Sequence, residues 1–352
     1  MIYQMTLDRL LQESLARNAS DLHLSVGLPP AARIHGEIIT LPYENLDPET
    51  CQELIFSILN TDQIEKFKED WELDFSISIL NLGRFRVNVF KERSHTEASF
   101  RIVTPQIKTM QELGLPEPAI ELARRPNGLV LITGPTGVGK TTTFNSILDQ
   151  INRERRCRII TIEDPIEYLH KHKKSIILQR EVHTDTRSFA TALRHILRQD
   201  PDIIGVGELR DLETISTAVT AAETGHLVIA TLHTSDATQT IDRIVDVFPP
   251  HQQEQIRIQL SNSLQGILSQ QLLPTVERKG RILAYELMIG TPAIRRLIRE
   301  NKISQIETFI QTGSEHGMLS MDKCLKALYQ QGKISYDVAL SKVKNPTVFK
   351  EI

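Results

Sequence analysis

The sequence is poor in cysteine. Cys51, Cys157 and Cys324 are the only three in 352 residues. This odd, scattered set excludes a disulfide framework and a cysteine-rich zinc site, and points to a reducing compartment. Net charge is also nearly absent: 41 Lys and Arg against 44 Asp and Glu leave −3. No global positive field therefore draws the chain to nucleic acid. Long apolar runs are missing, and uncharged stretches such as 128–139 are too short and too glycine-rich to span a bilayer. The opening MIYQMTLDRLLQES carries acids inside its apolar pattern, which does not suit a signal peptide. Gly and Pro, at 17 and 16, are too few for a collagenous or linker-type protein. What remains is ordinary globular composition, 40% hydrophobic and 24% charged, at a length that predicts about two domains and a tail.

Residues 1–103 read as mixed α+β. Leu7, Leu10, Leu11 and Leu15 recur at helical spacing, and 51–68 reads as a second helix with Leu54, Ile55, Ile58 and Leu59 on one face. Residues 21–25, 32–40 and 98–103 read as strands, and 74–79 and 83–90 as antiparallel neighbours. Residues 104–116, punctuated by Pro105, Gly114 and Pro116, read as a linker. Within 117–290 the texture changes to short apolar strands at 128–133, 158–162, 203–206 and 227–231, most of them separated by helical segments. That alternation predicts an α/β domain with a mainly parallel sheet covered on both faces. From 291 to 352 the signal is helical.

The strongest chemical signal is Gly134-Pro135-Thr136-Gly137-Val138-Gly139-Lys140-Thr141, followed by Thr142. It satisfies G-x-x-x-x-G-K-[ST] with an apolar strand before it and a helical pattern after it. Glycines let backbone N–H groups wrap phosphate oxygens, and the helix N-terminus adds partial positive charge. Lys140 is expected to neutralise the β- and γ-phosphates of ATP, and Thr141 to ligate Mg²⁺ through its hydroxyl.

Phosphate binding alone does not hydrolyse, so acids at strand ends matter next. The strand at 158–162 runs into Glu163-Asp-Pro-Ile-Glu167, and the strand at 203–206 into Gly207-Glu208-Leu-Arg-Asp. Carboxyl ends of parallel strands face the ligand crevice. A glycine at 207 stands where many such sites have an Asp. His226 and His233 bracket the strand at 227–231; one of them reads as a γ-phosphate sensor or contact and the other as a tie between neighbouring strands.

Taken together, GPTGVGKTTT, IEDPIE, GVGELRD and TGHLVIATLHT resemble the Walker A, aspartate, Walker B and histidine boxes of the type II/type IV secretion ATPases, in that family's order. The resemblance implies a RecA-like P-loop ATPase core, a PAS-like N-terminal domain and a homohexameric ring whose domains rotate with nucleotide state. It implies Glu208 as general base, Glu163 and Glu167 in metal and water positioning, and His226 and His233 as γ-phosphate or coupling residues. It also implies phosphate-directed arginines in the first domain, with Arg86 and Arg101 ranked above Arg84 and Arg93. Guanidinium groups suit that role because they are planar, permanently charged and bidentate.

Only 133 residues precede Gly134, and three cysteines cannot build the four-cysteine zinc insert of assembly-type members. The chain is similar instead to the retraction ATPases of type IV pili, which move cells by twitching. Ala293-Ile-Arg-Arg-Leu-Ile-Arg-Glu300 resembles that branch's AIRNLIRE motif, with Arg296 in place of Asn. Read by itself, the segment is an amphipathic helix, with Ile294, Leu297 and Ile298 on one face and Arg295, Arg296 and Arg299 on the other. The branch implies a cytoplasmic motor at the inner-membrane base of a pilus machine, working with a platform protein and pilin, without zinc or nucleic acid. Two alternatives stand beside it: an accessory retraction paralogue or regulatory module with slow hydrolysis, and a RecA-like nucleic-acid translocase.

Overall fold

A computed structural model describes residues 5–34, 36–79, 82–103, 106–277 and 280–346. The chain divides into two compact units, Met1–Gln106 with Glu167–Leu169, and Ile107–Ile166 with His170–Ile352. The division falls inside the expected linker, whose Thr104 and Pro105 lie outside the described residues. Met110 and Leu115, later in the same stretch, are buried in the second unit's core.

The first unit is α+β. Its elements are α1 (Leu7–Ala16), β1 (Ala19–Leu24), β2 (Ala31–Ile34), β3 (Glu37–Thr40), α2 (Pro48–Phe56), α3 (Thr61–Asp70), β4 (Glu72–Ile79), β5 (Gly83–Glu92) and β6 (His95–Val103). The strands form one antiparallel sheet in the order β3-β2-β1-β6-β5-β4. Alternation along β5 buries Phe85, Val87 and Val89 completely and leaves Arg86 exposed on the opposite face. Leu10, Leu22 and Phe100 complete the same core.

Two expectations in this unit are corrected. The single strand at 32–40 is a hairpin, because Gly36 at φ +93° turns the chain where other residues would be strained. The single helix at 51–68 is two helices. Asn60 and Gln63 form a capping box, each side chain bonding the other's backbone N–H at 2.9 and 3.0 Å, which starts a new helix inside the apolar period.

The second unit contains α4 (Glu117–Ala123), β7 (Gly128–Thr133), α5 (Lys140–Glu154), β8 (Arg158–Glu163), β9 (Ile176–Glu181), α6 (Phe189–Ile196), β10 (Ile203–Val206), α7 (Leu212–Glu223) and β11 (Leu227–Leu232). It continues with α8 (Ala237–Asp246), α9 (Pro250–Ser263), β12 (Leu264–Pro274) and β13 (Arg281–Ile289). Seven strands lie in the order β13-β12-β7-β11-β10-β8-β9, parallel except for the β12–β13 pair. Every residue of β7 and β11 is buried, as continuous apolar runs demand of a sheet covered on both sides. Leu129 and Leu131 pack on one face with α6 to α9; Val130 and Ile132 pack on the other with α4 and α5.

The helical ending consists of α10 (Pro292–Arg299), α11 (Ile306–Thr312), α12 (Met321–Gln330) and α13 (Tyr336–Leu340). Its last described segment is tied down. Asp322 accepts hydrogen bonds from the backbone N–H groups of Lys344 and Asn345, and Lys344 Nζ lies 2.7 Å from the buried Asp236 carboxylate. Among the described residues no helix is long and apolar enough to cross a membrane.

Candidate nucleotide site

The loop after β7 is shaped by its glycines. Gly134 has φ +142°, and a Cβ there would fall 2.5 Å from the Gln270 carbonyl oxygen and 2.8 Å from Val138 Cγ2, so only glycine fits. Gly139, at φ +91°, is the N-cap of α5. Pro135, Thr136 and Gly137 are exposed along the loop, Val138 points inward, and Thr141 and Thr142 are half-buried in the first helical turn. Lys140 folds back across the loop, donating to the carbonyls of Gly134 at 2.7 Å and Pro135 at 3.0 Å. Burial pulls its ammonium pKa down, against the opposing pull of the Glu208 charge. A helix N-terminus, a turn of backbone amides and a half-desolvated lysine make a strong anion cradle.

The parallel strands deliver two acids to this edge. Glu163 ends β8 and is only 2% exposed; its Oε1 accepts from Thr161 Oγ1 at 2.7 Å and Gln179 Nε2 at 3.0 Å. Glu208 follows β10 and is held by two side chains. Arg210 Nη2 lies 2.7 Å from Oε2, and His233 Nε2 lies 3.3 Å from Oε1. The other ring nitrogen of His233 is 3.4 Å from Thr136 Oγ1, so His233 bridges the phosphate loop and the acid. Arg210 also reaches to 4.0 Å from Asp164. Arg210 is absent from the expected site residues, although it stands two positions past Glu208, on the loop that carries the acid.

Gly207 has a steric explanation. Its N–H donates to the Ile162 carbonyl at 2.8 Å, and a Cβ there would lie 3.1 Å from that oxygen and 3.3 Å from Glu163 Cα. Any side chain would press on β8 where it presents Glu163. Gly207→Ala is expected to destabilise the protein by about 1–2 kcal/mol, the usual cost of overpacking, read as a lowered melting temperature. An unchanged melting temperature would show that β8 yields freely.

Not every expected residue gathers here. His226 precedes β11 and so occupies the amino edge of the sheet, roughly 20 Å of strand from the loop. Its Nδ1 lies 3.0 Å from the Ala221 carbonyl, and its own carbonyl accepts from Gly128 N–H. Within this chain its backbone joins β11 to β7 and its ring reaches the α7 carbonyl of Ala221. Glu167 is exposed and groups with the first unit. Arg86 and Arg101 also belong to the first unit, as directly opposed partners on β5 and β6; Arg101 pairs with Asp21 at 3.0 Å.

The donors present are hard oxygens. Among the described residues there is no group of three or more His, Cys, Asp or Glu that could cage a metal. The Thr141 hydroxyl and the buried Glu163 carboxylate fit Mg²⁺, which takes few protein ligands beside substrate phosphates and water.

Residues 2–334 match the family model described as Type II/IV secretion system protein. The chain is 49% identical over 345 residues to the Type IV pilus retractation ATPase PilT of Pseudomonas aeruginosa, covering 98% of this chain and 100% of that protein. It is 45% identical over 316 residues to the Twitching motility protein of Neisseria gonorrhoeae, covering 90% and 84%. A crystal structure of the pilus retraction motor PilT with bound ADP matches with a TM-score of 0.93 at 48% identity, covering 99% of this chain and 100% of that one.

Proposed function

The chain belongs to the type II/IV secretion system protein family, and from that membership we propose that it is an ATP-hydrolysing motor of type IV pilus retraction. The observation that carries this reading is the contact line from Thr136 through His233 to Glu208, which joins phosphate loop and acid within one unit.

The phosphate loop and Lys140 bind the β- and γ-phosphates and neutralise their charge. Glu208 orients the attacking water and takes its proton as the γ-phosphoryl group departs in line. In this reading His233, which touches both Thr136 and Glu208, reports the γ-phosphate to the acid. Thr141 and Glu163 would hold Mg²⁺, which when bound supplies charge to the phosphate oxygens. Arg86 and Arg101 are phosphate ligands in this reading. Arg86 stands directly opposite Arg101 in the sheet, and for phosphate to recruit Arg101 it would have to compete with the Asp21 carboxylate that pairs with it. The motor works as a homohexamer, since ring assembly is how arginines can be supplied conditionally, and it docks in the cytoplasm on the membrane platform of the pilus machine.

Two measurements test the reading. Purified full-length protein should hydrolyse ATP only with Mg²⁺ present. Deleting the gene should leave cells with excess pili and no twitching. Cells without pili would overturn retraction in favour of assembly.

A further inference from the structure

Behind the phosphate loop lies a chain of hydrogen bonds that joins the two oxygen donors described above. His170 is at its centre, with its side chain fully buried. Its backbone N–H donates to Gln179 Oε1 at 2.9 Å, and Gln179 Nε2 donates to Glu163 Oε1 at 3.0 Å. In the other direction, His170 Nε2 lies 2.7 Å from Asn145 Oδ1, and Asn145 Nδ2 donates to the Thr141 carbonyl at 2.9 Å. Asn145 is itself 0% exposed.

The direction of every bond is fixed by its ends. The Thr141 carbonyl can only accept, so the Asn145 amide nitrogen must face it and the amide oxygen must face His170. His170 must then donate from Nε2, which assigns the Nε2–H tautomer and leaves Nδ1 as a bare lone pair. Nδ1 indeed has no hydrogen-bond partner among the described residues. At the other end the His170 backbone N–H can only donate, so Gln179 must turn its amide nitrogen to Glu163. A buried network with one permitted polarity is stiff, because rotating any member leaves a buried donor or acceptor unpaired. Burial also pushes the His170 pKa down to about 4, which keeps the ring neutral across the working pH range.

We propose that Gln179, His170 and Asn145 are positioning residues that hold the first turn of α5 and the end of β8 in fixed register, so that Thr141 and Glu163 act as one Mg²⁺-binding pair. None of the three touches the nucleotide or the reacting atoms. The proposal rests on the reading of Thr141 and Glu163 given above. Outer partners of this kind typically change metal affinity or activity by 10–100-fold when removed.

The test is binding, not turnover. ADP affinity of the full-length protein is measured by calorimetry across a Mg²⁺ series and in its absence. His170→Phe, which keeps bulk but removes the donor, is expected to raise the Mg²⁺ concentration for half-maximal effect about tenfold, with metal-free ADP affinity unchanged. His170→Gln, which keeps a terminal N–H, should recover most of that loss. A His170→Phe curve like the wild type overturns the network, as does equal loss in His170→Gln and His170→Phe. Should His170→Phe not fold, Asn145→Ala removes the same link and carries the same expectation. Thr141→Ala separates the two levels. If it leaves the Mg²⁺ dependence unchanged, the ligand reading itself falls. If it shifts the curve while His170→Phe or Asn145→Ala does not, the ligand reading stands and the network falls.

Discussion

Glu208→Gln is expected to lower ATP turnover about a thousandfold, within the range that a positioned general base contributes, while nucleotide affinity stays within a few-fold. The substitution keeps shape and removes only the capacity to accept a proton. Glu208 does not itself hold the phosphate cradle: the loop amides and Lys140 are placed by the glycines and by α5, and the acid reaches the loop only through His233 and its charge on Lys140. Binding should therefore survive. What fails is the step for which His233 and Arg210 hold the carboxylate, at 3.3 and 2.7 Å. An amide in that position also turns one of its ends unfavourably, since both neighbours can present donors. Steady-state phosphate release and ADP calorimetry on the same preparation decide the matter. Turnover at the wild-type rate would remove Glu208 as the base, and loss of binding equal to loss of turnover would make it a structural residue of the cradle.

The phosphate loop was legible in the sequence because its determinants are consecutive and its flanks are diagnostic. The four central strands were legible for a related reason: strands buried on both faces read as unbroken apolar runs. Two of the strands that went unread, β12 and β9, break that rule. In β12 the polar Ser269 and Gln270 are fully buried, with Ser269 bonded to Thr133 and the Gln270 amide nitrogen to Thr143 on neighbouring elements, so the apolar pattern fails although burial does not. In β9, at the sheet's edge, Gln179, Arg180 and Glu181 interrupt the run.

His226 shows a different gap. The sequence shows two histidines bracketing one strand and leaves open which of them contacts phosphate and which ties strands together. Strand direction carries the missing information, since a residue before a parallel strand stands at the edge away from the ligand crevice. The His170 network depends on side chains meeting across elements, and no spacing rule in one sequence encodes that; Arg210 contacts Glu208 two positions away on the same loop, and only its approach to Asp164 crosses elements.

Arg295→Ala is expected to destabilise the protein by about 2 kcal/mol, the scale set by leaving several half-buried acceptors unpaired, and to lower the melting temperature by roughly 4–8 °C. The arginine-rich segment at 293–300 reads as an amphipathic helix with three equivalent cations, but the structure makes them unequal. Arg295 turns under α10 and donates to the carbonyls of Gly290 and Ser261, both at 2.8 Å, to the carbonyl of Asn262, and to Gln265 Oε1 at 3.4 Å. Ser261 and Asn262 lie in the last turn of α9, where carbonyls lack helical partners and the dipole favours a cation. One guanidinium therefore caps α9 and fastens α10 to it. Arg296 is 73% exposed and among the described residues pairs with Glu300 one turn on, so Arg296→Ala should leave the melting temperature close to that of the wild type. Arg295→Lys should recover little, because a single ammonium cannot span acceptors that a planar fork reaches together. Equal melting temperatures for Arg295→Ala and Arg296→Ala would refute the clamp. A large gap between them would mean that the arginine pattern of this helix combines one internal fastener with cations left on the surface, where a partner can read them.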